Sequence, residues 1–271
     1  MLCDYHMHSH WSADCSTPLG EQILRAEQLG LEEICLTDHI EINFYRQKEE
    51  YEMDLETYRN AFLSIPQGPG RVRVKFGLEA GMPCREPDMK ILAERVRSQP
   101  FDFVIASCHV VANDEDPYEP VYYEDPSRDL TWCHKHYISH VHNMLKWLPD
   151  DCYDVVGHID YGAKFCPWPG AMLKYEHAPD EIDALYRYII PKGKAIEINT
   201  STYRKLGKDL PGRDWLRRYV ELGGEFVTFG GDAHFTKHIG YRFDEAVQIA
   251  RDAGVRYYAT YDGRKPTFHK L

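Results

Sequence analysis

Short apolar runs alternate with amphipathic helical stretches along the whole chain, and this alternation leaves few folds open. The runs that read as strands are 2–8, 32–39, 72–81, 101–110, 153–160, 194–201 and 225–234, with a weaker eighth at 255–261. Between them lie helical patterns at 18–30, 87–99, 132–147, 180–190, 213–224 and 243–254. Pro18 and Pro87 open two of these, and Gly30, Gly223 and Gly254 close three, the usual start and stop residues. No linker interrupts the pattern. The chain therefore reads as one domain over 1–271: a TIM-like (β/α) barrel of eight strands or a seven-stranded relative, with an open doubly wound sheet as the alternative. There is no GxGxxG after the first strand and no GxxxxGK[ST], so nothing supports a nucleotide site of either kind.

A chain of 271 residues that is 43% hydrophobic and 28% charged can bury a substantial core. Its net charge of -11 argues against a nucleic-acid groove, because phosphate backbones attract lysine and arginine. A small anionic substrate stays open, since metal ions can invert a local field. The eight cysteines form no CxxC pair, and several sit inside apolar runs, as Cys35 and Cys108 do. They read as buried free thiols rather than a disulfide framework. No signal-like segment and no apolar run of about 18 residues is present, so a cytoplasmic protein without a membrane partner is expected. The acidic, Pro- and Tyr-rich stretch 111–129 reads as an ordered lid or insertion.

Barrel enzymes carry their chemistry at the C-terminal ends of the strands. Here the strands end in His6 and His8, Asp38 and His39, Glu79, His109, His158 and Asp160, Glu197 and Asn199, and Asp232 and His234. One histidine at a strand end is usually just a satisfied polar group. So many imidazoles and carboxylates on one rim are costly to bury unless cations satisfy them. Nitrogen and oxygen donors without thiolate suit zinc, iron or manganese. A carboxylate such as Glu79 can bridge two ions, and paired ions can clamp a phosphate. His10 follows in the turn-forming "SHWSADCSTP" and is expected to leave the strand. On the helix 132–147, His136 and His140 share a face at i,i+4, but no HExxH glutamate stands between them.

The segments "YHMHSHWSAD", "LTDH", "GLEAG", "SCHVV", "VVGHIDYGAKF", "IEINTSTYR" and "FGGDAH", spanning positions 5 to 234, resemble the polymerase and histidinol phosphatase (PHP) superfamily. "GLEAG" and "INTSTYR" are most similar to its monofunctional histidinol-phosphate phosphatase branch. The resemblance implies a distorted (β/α)7 barrel holding two or three divalent ions (Zn, Fe or Mn). One ion would be held by His6, His8, Glu79 and Asp232. A second would share Glu79 and add His109 and His158. A third would use Asp14, His39 and His234, with aspartate at a position where many relatives have histidine.

The implied reaction is hydrolysis of a small phosphate monoester, L-histidinol phosphate, in histidine biosynthesis. Asp160 and His234 are the catalytic candidates, with Asp160 protonating the leaving group or orienting a ligand. Lys164 and Arg204 are expected to bind phosphate, and Arg242 is a weaker third. Asp114, Asp116 and Glu119 of the acidic loop would meet the amine and imidazole of the substrate. The alternatives are another phosphomonoester or nucleotide substrate, a non-catalytic PHP module, and a metal-dependent amidohydrolase. The last usually carries a carboxylated lysine on a middle strand, whereas here Glu79 on the third strand is the bridging candidate.

Overall fold

The computed structural model describes residues 3–43, 53–111, 115–117, 119, 120–159, 161–164, 166–168, 174–206 and 212–271, with the backbone alone at 163, 203, 205 and 206. In chain order the elements are β1 (Cys3–Asp4), α1 (Leu19–Gln28), β2 (Glu33–Leu36), β3 (His39–Glu41), α2 (Leu55–Leu63), β4 (Arg73–Gly81), α3 (Glu86–Arg97) and β5 (Phe103–Ser107). There follow α4 (Leu130–Trp147), β6 (Val155–Val156), α5 (Pro179–Ile189), β7 (Ala195–Asn199), α6 (Ser201–Leu206), α7 (Arg213–Glu221), β8 (Phe226–Gly230), α8 (Phe243–Ala253), β9 (Tyr257–Asp262) and β10 (Lys265–Lys270).

The strands pair in the order β1-β2-β4-β5-β6-β7-β8-β9-β10, with β3 also on β4. Every pairing is parallel except the β9–β10 hairpin. The chain after β1 also meets the chain after β8. Tyr5 N donates to Phe229 O (3.0 Å), His8 N donates to Ala233 O (3.1 Å), and Met7 bridges Ala233 in parallel. These bonds close a barrel of seven parallel strands: β1, β2, and β4 through β8. The weak eighth run is β9, and it does not complete an eight-fold ring. It pairs with the start of β8 and donates Tyr261 N to the Tyr5 hydroxyl (2.7 Å), filling the splay between β8 and β1 at the N-terminal end.

Sequence patterning did not reveal β3, α2 or β10. The last has proline at its second position and is largely exposed, so it lacks the apolar alternation of a buried strand. Its hairpin turns on Gly263 (φ 52°) and Arg264 (φ 68°), the left-handed pair that a two-residue turn needs. The helices follow their apolar faces. α1 buries Gln22, Ile23 and Ala26 and stops just before Gly30 at φ 71°. α8 ends the same way at Gly254, φ 93°.

Two layers fill the barrel because side chains repeat every second residue along a strand. The lower layer is apolar: Cys3, Tyr5, Cys35, Phe103, Ile105, Val155 and Ala195, joined by Ala259 and Tyr261 of β9. Burying each large apolar side chain there contributes about 1.5–3 kcal/mol. That helps offset the ionisable layer directly above it. Two residues further along the same strand faces stand Glu79, Ser107 and Glu197, all buried. The eight cysteines are free, and six of them are buried, as expected of structural thiols.

Candidate metal centre

Glu79 stands at the middle of the upper layer, 2% exposed, and each of its oxygens faces a pair of histidines. Oε2 lies 3.2 Å from His6 Nε2 and 3.4 Å from His8 Nε2. Oε1 lies 2.8 Å from His158 Nε2 and 3.4 Å from His109 Nε2. On one side Asp232 Oδ1 lies 3.4 Å from His8 Nε2 and 3.4 Å from His234 Nδ1. Asp14 spans the next pair, Oδ1 to His39 Nε2 at 2.9 Å and Oδ2 to His234 Nε2 at 3.1 Å. Among the described residues four groups hold donor atoms within 4.8 Å of one another. They are His6–His8–Asp232, His6–Glu79–His158, His8–His39–His234 and His39–Glu41–His109.

This set fits divalent ions. The Nε2 atoms of His6 and His8 are buried, aimed at carboxylates, and make no hydrogen bond. Leaving such atoms unsatisfied costs roughly 1–3 kcal/mol each, which a shared cation removes. Asp232 is held at φ 48°, a strained conformation that turns its carboxylate into the cluster.

The charge balance follows from burial and neighbours. Burial alone would raise the Glu79 carboxyl, but the His6 and His109 charges and the bonds from His109 and His158 override it and hold it well below the usual range. Asp232 is likewise held well below, burial being outweighed by Lys164 and His8. Burial opposes the charge on His109, yet Glu41 and Glu79 push it up to about 10. Burial and His234 lower His8 to about 4. The cluster thus holds both cationic and neutral imidazoles, and ions binding there must displace protons from the cationic ones.

Behind these residues stand further carboxylates. Glu197 Oε1 lies 2.7 Å from His6 Nδ1, and its Oε2 accepts from His158 N (2.9 Å) and Asn199 Nδ2 (3.1 Å). Glu41 Oε1 lies 2.5 Å from His109 Nδ1. Glu197 is visible as a strand-end carboxylate in the sequence, whereas Glu41 is not. The one signal for Glu41 is its place two residues past His39, on the same face of a strand. Asp38 is not turned toward the ligands. It accepts from the backbone N and hydroxyl of both Ser9 and Ser12 (2.6–3.1 Å), and so shapes the loop between His8 and Asp14. Asp38→Ala is expected to lower stability by about 3 kcal/mol or more, read as a denaturation midpoint in chelator, because it takes the acceptor from three buried donors, Ser9 N, Ser9 Oγ and Ser12 Oγ, while Ser12 N keeps the Ser9 carbonyl. A change within 0.5 kcal/mol would refute that role.

The other candidates divide. Lys164 is buried in the 3₁₀ turn Tyr161–Lys164, with Nζ 3.0 Å from Asp232 Oδ2 and 5.3 Å from the centre of the Tyr161 ring. Tyr161 itself packs 4.9 Å from His158 and 5.2 Å from His109, an aromatic wall that strand-end position alone does not reveal. Arg204 is half-buried and donates to the carbonyls of Gly231 (2.7 Å) and Asp232 (3.0 Å), fixing the turn that carries Asp232. Arg242 places its guanidinium on Glu245 (2.8 and 2.5 Å) at the start of α8. Glu119 precedes the 3₁₀ turn Pro120–Tyr123. Asp114 and Asp160 lie outside the described residues. His10 is exposed in the loop before α1, its Nδ1 accepting from Leu19 N (3.3 Å) at the start of that helix, off the strand as expected. His136 and His140 sit 5.1 Å apart on α4, and His136 packs on Trp132 and Tyr122.

A family model described as "PHP domain" matches residues 4–201. The chain belongs to the PHP family. This PHP protein is 29% identical over 263 residues to the histidinol-phosphatase of Lactococcus lactis subsp. lactis, covering 97% of this chain and 95% of that one. It is 27% identical over 271 residues to a probable histidinol-phosphatase of Thermotoga maritima, covering 100% of each. Its fold matches the crystal structure of the Lactococcus lactis histidinol phosphate phosphatase complexed with zinc, L-histidinol and phosphate. That match has a TM-score of 0.81 and 27% identity, and covers 98% of both chains. Both the PHP assignment and the TIM-like barrel therefore agree with the expectations from sequence.

Proposed function

We propose that this PHP protein is a metal-dependent phosphatase that hydrolyses L-histidinol phosphate to L-histidinol and phosphate. The observation that carries the reading is Glu79 shared between two histidine pairs, in a chain similar over nearly its full length to histidinol-phosphatases. His6, His8, Glu79 and Asp232 would hold one ion, Glu79, His109 and His158 a second, and Asp14, His39 and His234 a third. These donors suit zinc, iron or manganese, and zinc is the ion in the Lactococcus lactis structure. Ions bound there would supply a hydroxide nucleophile at neutral pH and neutralise the phosphate oxygens.

The chain's own residues do the rest. Glu197 and Ser12 bond to Nδ1 of His6 and of His8, leaving the Nε2 atoms pointed inward. Lys164 brings its ammonium to the edge of the cluster, where an ester phosphate can accept from it. Arg204 keeps the Asp232 turn in place. Tyr161 offers a flat face on which an imidazole or the alcohol portion of a substrate can lie.

The test is phosphate release from L-histidinol phosphate against a panel of other monoesters, with metal content recorded. Strong preference for L-histidinol phosphate supports the proposal. No release from any monoester by protein carrying ions overturns it. Lys164→Gln is expected to lower kcat/KM about 10–100-fold, mainly through KM, with metal content unchanged, as loss of one charge-assisted bond to the phosphate. A fall in metal content with KM unchanged would show that Lys164 serves Asp232 alone.

A further inference from the structure

We infer that Glu41 couples two of the proposed metal sites from behind their ligands, so that the ions on His109 and His39 are held as a pair. The inference rests on the metal-site reading above and goes beyond its ligand sets. Glu41 ends β3 and is 3% exposed. A single oxygen, Oε1, lies 2.5 Å from His109 Nδ1 and 3.4 Å from His39 Nδ1. The opposite ring nitrogens look into different sites: His109 Nε2 faces Glu79 (3.4 Å), and His39 Nε2 faces Asp14 (2.9 Å). A carboxylate on Nδ1 sets the tautomer, fixes the ring plane and makes Nε2 the better donor. One carboxylate doing this for two rings ties their geometry together.

The barrel is built around this carboxylate. In the β3–β4 register His39 lies opposite Glu79 and Glu41 lies opposite Gly81. A Cβ at Gly81 would overlap the Glu41 carboxylate, so the second glycine of "GLEAG" is the cradle that lets Glu41 turn inward. The first site has its own equivalent. Glu197 takes His6 Nδ1, and a Cβ at Gly230 would overlap Glu197. Because the two carboxylates serve different histidines, a change at Glu41 should leave the His6–His8–Asp232 site alone.

The experiment strips wild-type protein and Glu41→Gln of metal, checks both by far-ultraviolet circular dichroism, and titrates each with zinc against a chromophoric chelator. Glutamine keeps the shape and an acceptor oxygen at the Oε1 position but removes the negative charge that both Nδ1 atoms face. The expected result is a loss of zinc affinity of about 10–100-fold at two sites together, the remaining site keeping its wild-type affinity. Gly81→Ala, which displaces the carboxylate without altering any ionisable group, should reproduce the loss, and Glu41→Asp should recover part of it. Should Glu41→Gln fail to fold, Glu41→Asp carries the same test with a smaller loss. Wild-type stoichiometry and affinity in the variant, or loss at one site with the other intact, overturns the coupling. Wild-type protein that binds no zinc overturns the metal reading itself.

Discussion

Glu79→Gln is expected to bind fewer ions than the wild-type protein and to lose phosphatase activity by on the order of 10³-fold or more. Both Glu79 oxygens face imidazole nitrogens, Oε2 toward His6 and His8 and Oε1 toward His158 and His109. A glutamine keeps one oxygen and turns an NH2 group on the other pair. It also removes a negative charge from a buried place where His6 and His109 depend on it. Two proposed sites are damaged by one change, which is why the effect should exceed that of losing a ligand confined to one site. His6→Ala, which touches the first site, serves as the comparison. Metal counting and initial rates on the same preparations decide the matter. If Glu79→Gln keeps the wild-type metal content and activity within tenfold, Glu79 does not bridge.

Stripping the metal should lower the melting temperature by roughly 10 °C at neutral pH, and the gap should widen as pH rises from 6 to 8.5. The size follows from a single ion present at ~1,000 times its Kd, worth about 4 kcal/mol, with roughly 2–4 °C per kcal/mol for a chain of this size. The pH dependence follows from two opposing signs. In the metal-free protein, burial opposes charge on His6, His39 and His109, but carboxylate neighbours raise all three above the ordinary 6.5. Their contribution to stability is complete below about pH 6.5 and is lost as pH rises through the folded values, about 10 for His109. Glu79, Asp232 and Asp14 are depressed despite their burial, so their contribution holds above their ordinary values of 4.5, 3.8 and 3.8 and is lost only as pH falls. His8, lowered to about 4, stays neutral throughout. Between pH 6 and 8.5 the metal-free cluster therefore weakens. Ion binding strengthens over the same range because fewer protons must be displaced. Thermal melts with and without chelator across this range test it. A gap that stays constant or narrows would mean that the raised histidines are not the groups the ions displace.

Much of the site is legible in the amino-acid sequence. His6, His8, Glu79, His109, His158, Asp232 and His234 all fall at or just past the ends of apolar runs, and in a parallel barrel those ends share one rim. Asp14 is legible only through family resemblance. It lies in a loop, and what brings it between His39 and His234 is the Asp38 scaffold holding Ser9 and Ser12. Arg204 is legible as a cation on the correct rim, but its partners are backbone carbonyls of the Asp232 turn. Arg242 is suggested by its proximity in sequence to β8, and its guanidinium instead meets Glu245 on its own helix.

The order of residues along the chain is enough to specify the class of fold and the donor set, because period-two alternation and strand-end position are local properties. Barrel closure, and the carboxylates that aim the ligands, arise only in three dimensions. Closure depends on β1 meeting the chain after β8, more than 200 residues away in sequence, as the Met7–Ala233 bridge shows. Glu41 and Glu197 turn inward because Gly81 and Gly230, on neighbouring strands, have no Cβ to block them. A missing side chain on one strand makes room for a carboxylate on another, and that relation exists only once the strands are in register.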